Sequence, residues 1–202
     1  APVITNLSLS HYARPAENLY SRVSLGYLEN MYGGVSTELL WKPVDSNFAL
    51  GAELNYAVQR DYDMLFGFRD FDTVTGHLSA YYSFENGFQT QVDVGRYLAG
   101  DWGTTFSLDR TFDNGWEVGA YFTITDMPFD QFGEGSFDKG IRITVPTDFF
   151  LGTATQRSSS TALSSLTRDG GAKLNVEGRL YDIVERGHQA GSMGDTWGRF
   201  WR

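Results

Sequence analysis

The chain has 202 residues and a formal net charge of -9, and its 16 Lys and Arg are scattered, which excludes an electrostatic grip on nucleic acid. There is no Cys, so disulfides, thiolate nucleophiles and Cys-held metals are excluded, and no apolar run approaches the about 20 residues of a membrane helix. Aromatics at 15%, 23 Gly and only 5 Pro suit a single all-β domain with many tight turns.

In chain order, strands are expected at Val3–Tyr12, Leu19–Glu29 and Val35–Lys42. From Phe48 to Val58 the alternation sharpens. Phe48, Leu50, Ala52, Leu54, Tyr56 and Val58 share one face, and Gly51, Glu53, Asn55, Ala57 and Gln59 the other. After Asp72, Val74, Leu78, Ala80, Tyr82 and Phe84 oppose Thr75, His77, Ser79, Tyr81 and Ser83. Phe88, Thr90, Val92 and Val94 then oppose Gln89, Gln91 and Asp93, and Trp102, Thr104, Phe106 and Leu108 oppose Gly103, Thr105, Ser107 and Asp109. Trp116, Val118, Ala120, Phe122 and Ile124 likewise oppose Glu117, Gly119, Tyr121, Thr123 and Thr125. Strands at Phe137–Val145 and Leu174–Asp182 bring the total to about ten. Pro146–Ala172 reads as a polar insertion with room for a short helix. Residues 1–184 are thus one barrel segment and 185–202 a tail or final strand, where Trp197, Phe200 and Trp201 resemble a terminal barrel strand although Arg202 follows.

Connections alternate between tight turns, at Val44–Asn47, Glu85–Gly87 and Asp113–Gly115, and longer loops, at Arg60–Asp72 and Met127–Ser136, with Leu98–Asp101 short but on the long-loop side. Trp41 and Phe48, Phe84 and Phe88, and Phe112 and Trp116 flank the tight turns on the apolar face, as an aromatic girdle at a membrane interface would. Arg96 and Arg110 interrupt that face near strand ends, within snorkelling reach of headgroups. The expected fold is therefore an antiparallel up-and-down transmembrane β-barrel, whole or part of a larger one, in a bacterial outer membrane against lipid and lipopolysaccharide. The mean hydropathy of -0.31 does not oppose this, because a barrel hides its apolar residues at every second position. The competing fold is a soluble β-sandwich or lipocalin-like binding module with the apolar face inward. With tight turns counted as periplasmic, Val3–Tyr12 would begin outside, which implies strands before Ala1. About ten strands would leave a lumen too narrow for an open polymer channel, which takes 16 or more.

Three groups of residues carry candidate chemistry. His77 and Ser79 lie two apart on a polar face, with Asn55 on the preceding strand; the set resembles that of outer-membrane phospholipases, in which it faces lipid rather than the lumen. Glu38, Glu53, Asp93, Asp109 and Glu117 would line the interior, either as acid and base for a glycosidic bond or as an acidic lumen holding water and counterions. In the loops, Tyr62, Phe66, Phe68 and Phe71 stand among Asp61, Asp63, Asp70 and Asp72, and Phe129 and Phe132 near Asp130 and Glu134. Rings stack on sugar C–H faces and carboxylates accept hydroxyl protons, so a glycan-binding mouth and simple loop packing both account for them. His11, His77 and His188 are too far apart in sequence to suggest a metal, and no cofactor is implied.

The stretch Trp102-Gly103-Thr104-Thr105-Phe106-Ser107-Leu108-Asp109-Arg110-Thr111-Phe112-Asp113-Asn114-Gly115-Trp116-Glu117-Val118-Gly119, and above all Phe129-Asp130-Gln131-Phe132-Gly133-Glu134-Gly135-Ser136-Phe137-Asp138-Lys139-Gly140, resembles the YjbH-like family of exopolysaccharide biosynthesis proteins. The likeness runs from about Leu19 to Val184. It implies an outer-membrane protein tied to secreted polysaccharide and group 4 capsule, with polysaccharide and other assembly proteins as partners. Family members are longer, so the chain would be their C-terminal barrel portion. The resemblance supplies no catalytic residues, and the expected role is non-catalytic, with an outer-membrane hydrolase as the alternative.

Overall fold

The computed structural model describes residues 3–112, 114–128, 137–146, 158–164 and 170–188. Ten strands follow one another as β1 Leu7–Ala16, β2 Leu19–Tyr27, β3 Tyr32–Trp41, β4 Phe48–Arg60, β5 Phe68–Ser83, β6 Phe88–Arg96, β7 Trp102–Thr111, β8 Glu117–Thr125, β9 Asp138–Pro146 and β10 Ser158–Ser164. Each pairs antiparallel with the next, giving one sheet in the order β1 to β10. Among the described residues β1 and β10 pair with no further strand, so the sheet is open and the expected barrel closure is not found.

Closure fails where the expected last strand leaves the sheet. Leu174–Asp182 alternates in sequence, but Gly178 takes a φ of 70°, a left-handed value that only glycine adopts freely, and ends the extended run. Helix α1, Leu180–His188, follows, and Leu180, Tyr181 and Val184 are buried at the i, i+1 and i+4 spacing of one helical face. The segment Gly171–Arg179, called here the strap, does not join β1 but crosses the polar face of the sheet. Tyr12 on β1 donates to the Gly178 carbonyl at 3.1 Å, while Gly171 lies against Thr123 on β8. Seven strand spacings would separate β1 from β8 by about 34 Å in a flat sheet, whereas the seven residues from Gly171 to Gly178 reach at most about 25 Å. The sheet is therefore curved around the strap.

Within the sheet the alternation read from sequence holds. On β4 and β5, Leu54 is 59% and Leu78 68% exposed, while Glu53 is 7% and His77 2%. The apolar face is outward and the polar face inward, the reverse of the soluble sandwich. Trp41, Phe48, Phe84 and Phe112 are exposed at the tight-turn end of the outward face, with Phe88 and Trp116 half-buried. Arg110 packs over the rings of Phe88 and Phe112, at 4.8 and 4.7 Å from their centroids. At the other end Tyr56, Phe66, Phe68 and Trp102 are exposed, so aromatics stand at both edges of the apolar band. No described helix is long and apolar enough to cross a membrane, which says nothing of strands.

The turns are those their residues dictate. At Asn86-Gly87 the glycine has a φ of 79°, and Phe84 donates to the Phe88 carbonyl at 2.7 Å to close the hairpin. The long connection expected at Arg60–Asp72 shrinks to residues 61–67, because β4 runs on to Arg60 and β5 begins at Phe68, with a bulge between Val58 and Arg60. This weakens the contrast between short and long connections: 28–31, 61–67, 97–101 and the longer 126–137 on one side face 17–18, 42–47, 84–87, 112–116 and the longer 147–157 on the other. β1 lies four residues later than expected and carries Pro15 in a bulge between Ala13 and Ala16, where no ladder N–H is needed. Part of the polar insertion is a strand, β10, rather than a helix. The terminal strand expected around Trp197, Phe200 and Trp201 lies outside the described residues.

Arg60, wholly buried, fixes the 61–67 end. Its guanidinium donates to the carbonyls of Glu29, Asn30, Met64 and Leu65 at 2.9–3.2 Å and packs on the Tyr27 ring at 4.1 Å.

Candidate functional site

The inward face of β2–β6 concentrates the buried polar groups: Arg22, Ser24, Ser36, Glu38, Glu53, Asn55, Thr75, His77, Ser79 and Asp93. Alternation puts them there, since each follows a residue that points outward, apolar in most cases and Ser21 and Thr37 before Arg22 and Glu38. A buried carboxylate without a counter-charge would be costly, and the strap supplies the counter-charges. Arg179 bonds Glu53 at 2.6 Å and Lys173 bonds Asp93 at 3.1 Å, each with a carboxylate side chain only 4% exposed. Glu38 pairs with Arg22 of the neighbouring strand at 3.0 Å and also accepts the Leu180 N–H at 3.1 Å. That N–H is the first of α1, so a strand carboxylate caps the helix and faces the positive end of its dipole. Arg22 in turn donates to the Glu177 carbonyl at 2.8 Å and to Ser36 at 3.1 Å. Farther along α1, Glu185 pairs with Lys42 at 3.3 Å.

Apolar contacts complete the attachment in two clusters. Leu174 and Val176 of the strap meet Leu28, Ala57 and Leu98; Leu180, Tyr181 and Val184 of α1 meet Leu40, Ala49 and Tyr81. The Tyr81 and Tyr181 rings stack with centroids 3.9 Å apart and planes 6° from parallel, and the Tyr181 hydroxyl reaches Ser83 at 2.9 Å. Gly171 donates its N–H to Asp101 at 2.9 Å. Burial lowers the Lys173 pKa, with the nearby Arg179 adding to the effect. Burial would lower Arg179 as well, but the carboxylates of Glu53 and Glu38 outweigh it and raise its pKa. In the 28–31 loop, burial raises the Glu29 pKa, partly offset by the Asn175 N–H it accepts at 3.0 Å.

This arrangement answers two of the sequence expectations. The interior carboxylates are not an acidic lumen of water and counterions: Glu38, Glu53 and Asp93 are paired with Arg22, Arg179 and Lys173, and Asp109 with Arg142 at 2.6 Å. Glu117, at the tight-turn end of β8, is exposed. His77, Ser79 and Asn55 share the inward face without forming a relay. The Ser79 hydroxyl donates to Asp93, Asn55 donates to Glu53 and Thr75, and the His77 ring stands edge-on to Tyr97 at 4.7 Å. Neither His77 nitrogen has a hydrogen-bond partner.

The loop residues expected to bind sugar are split. Tyr62 and Phe66 lie exposed in 61–67, but Phe68 and Asp70 belong to the outer end of β5, because the strand extends past the expected loop boundary. Phe66 and Phe68 gather around Tyr27, at 6.4 and 5.7 Å between centroids, and Tyr62 lies under Arg69. Phe129, Asp130, Phe132 and Glu134 lie outside the described residues. What sequence reasoning missed was the strap. Its signal was present in the change from alternate spacing at Leu174 and Val176 to helical spacing at Leu180, Tyr181 and Val184, with Gly178 between.

No solved structure matches the chain. An uncharacterized lipoprotein, YjbH, of Escherichia coli strain K12 is 40% identical over 187 residues, covering 90% of this chain and 27% of that protein, so the chain spans about a quarter of that relative's length. The model of the YjbH family, described as an exopolysaccharide biosynthesis protein, matches residues 1–186. With nearly the whole sheet and its strap inside that match, the chain belongs to the YjbH family of exopolysaccharide biosynthesis proteins.

Proposed function

We propose that this chain is an outer-membrane sheet segment that works, without catalysis, in the production or export of exopolysaccharide or capsule. The observation that carries this reading is the inverted amphipathicity: the apolar face is exposed between two sets of aromatics, while charge is buried and paired inside. In water such a face is a large aggregation-prone patch; against hydrocarbon it is the stable orientation. The lipoprotein name of the relative supports a place in the cell envelope. The partners are outer-membrane lipid and lipopolysaccharide, with polysaccharide or other assembly proteins reaching the loop end, where Tyr62 and Phe66 are exposed. The non-catalytic part rests on engagement: Ser79 and the interior carboxylates Glu38, Glu53 and Asp93 already have partners.

The protein should be extracted only with detergent, float with lipid vesicles and show heat-modifiable migration. A monodisperse, detergent-free form would remove the membrane reading. In a producing strain, Ser79→Ala and His77→Ala should leave polysaccharide output near normal, whereas replacing Phe129–Gly135 by a Gly/Ser linker should lower it. Abolition of output by Ser79→Ala, with the sheet folded and inserted, would favour the hydrolase instead.

A further inference from the structure

The outward face of β3–β6 is grooved. Small residues, Ala52 on β4 and Gly76 and Ala80 on β5, alternate in register with Leu78, Leu54 and Leu50, leaving bare backbone between taller side chains. Two hollows of about 570 and 530 Å³ result, and they share Leu39, Ala52, Leu78 and Val94. Together they form a trough that runs from Trp102 at one end to Trp41 at the other. Its lining is almost entirely apolar side chain, because alternation has sent the polar residues inward.

Arg96 stands at the Trp102 end. It is the register partner of both Gly76 and Trp102, and its guanidinium donates to the carbonyls of Val74 at 3.1 Å and Gly100 at 3.3 Å. Carbonyls hold the group in place without neutralising it. Arg22, Lys42, Arg142, Lys173 and Arg179 all have carboxylate partners, but Arg96 has none among the described residues. A held, uncompensated cation at the mouth of an apolar trough is complementary to an acyl chain that carries an anionic phosphate.

We infer that the trough and Arg96 form a subsite for lipid A, the phosphorylated, acylated anchor of lipopolysaccharide, with one acyl chain along the trough and a phosphate on Arg96. The inference rests on the outer-membrane reading above. Lipid A is preferred to a phospholipid because Arg96 lies at the end opposite the tight turns 17–18, 42–47 and 84–87, and that end faces the cell surface when the tight turns are periplasmic.

The test uses the folded protein in detergent, with purified lipid A, its dephosphorylated derivative and phosphatidylglycerol as probes, read by native mass spectrometry. Lipid A should be retained about 10-fold more tightly than either other probe, and Arg96→Gln should remove about that factor by deleting one charge-assisted contact. Ala52→Phe, which fills the trough and leaves Arg96 in place, should weaken lipid A and its dephosphorylated derivative alike. Arg110→Gln, at the opposite end, should change neither. Equal retention of phosphatidylglycerol, or lipid A binding indifferent to both Arg96→Gln and Ala52→Phe, would overturn the subsite. Vesicle flotation of the same preparation separates the two ideas: a protein that floats but does not discriminate refutes the subsite alone, and one that does not float refutes the membrane reading with it.

Discussion

Strands β3–β6 and β7–β9 have the same alternating pattern and the same kind of inward polar residue, yet their interiors differ. On β3–β6 the carboxylates Glu38, Glu53 and Asp93 are buried. On β7–β9 the inward carboxylate Asp109, toward the tight-turn end, is 21% exposed at its side chain, and its partner Arg142 is 55% exposed. What separates the two regions is the strap, which covers the first and leaves that part of the second open. Alternation decides which way a side chain points, but whether it becomes dry depends on a counter-charge that arrives from far along the chain. The Glu53–Arg179 contact spans 126 residues of sequence.

The sharpest way to break this contrast is to remove one strap cation. Arg179→Leu would leave Glu53 dry and unpaired and should cost about 3–5 kcal/mol, read as a lower urea midpoint for unfolding in detergent. The corresponding change in the open region, Arg142→Leu, deletes an ion pair in high dielectric and should cost about 0.2–1 kcal/mol in the same assay. If the two losses were equal, coverage by the strap would not be what distinguishes the regions.

How much of this was legible beforehand depended on whether a feature was local. The facing of Phe48–Val58, Val74–Phe84, Phe88–Val94 and Trp116–Ile124 could be read directly, because period-two alternation is set by neighbouring residues. Strand length at the loop end could not: whether Phe68 and Asp70 lie in a loop or on β5 is decided by the partner residues of β4 and by a bulge that no local pattern announces. Glu38, Glu53 and Asp93 are interior as read, whereas Glu117 is exposed, and Lys173 and Arg179, the partners of Asp93 and Glu53, sit in a segment whose alternation mimics a strand. The position of a counter-charge across a curved sheet is a tertiary fact, and the hydrolase and acidic-lumen alternatives both stayed open for want of it.

The smallest test sharpens the boundary of the covered region, where Glu29 accepts the Asn175 N–H of the strap. Burial raises the Glu29 pKa, so between about 4.5 and its raised value the folded state binds more protons than the unfolded state, and stability falls as pH rises through that window. Glu29→Gln keeps an acceptor for Asn175 and removes the titration. Relative to the parent it should gain a few tenths of a kcal/mol at pH 7 and lose that advantage at pH 4, as judged by paired denaturation curves. An advantage independent of pH would assign the effect to something other than the buried charge.

Arg60 carries a different kind of consequence. Its four carbonyl contacts are divided between residues 29–30 and 64–65, so both loops hang on one buried side chain, and displacing that side chain frees both. The two loops therefore constitute one cooperative opening unit, with a common protection against hydrogen exchange despite being separate in sequence. A molecule landing on the exposed rings of Tyr62 and Phe66 meets a stiff rim rather than two independent fingers, and the ordering entropy of that rim has already been spent during folding.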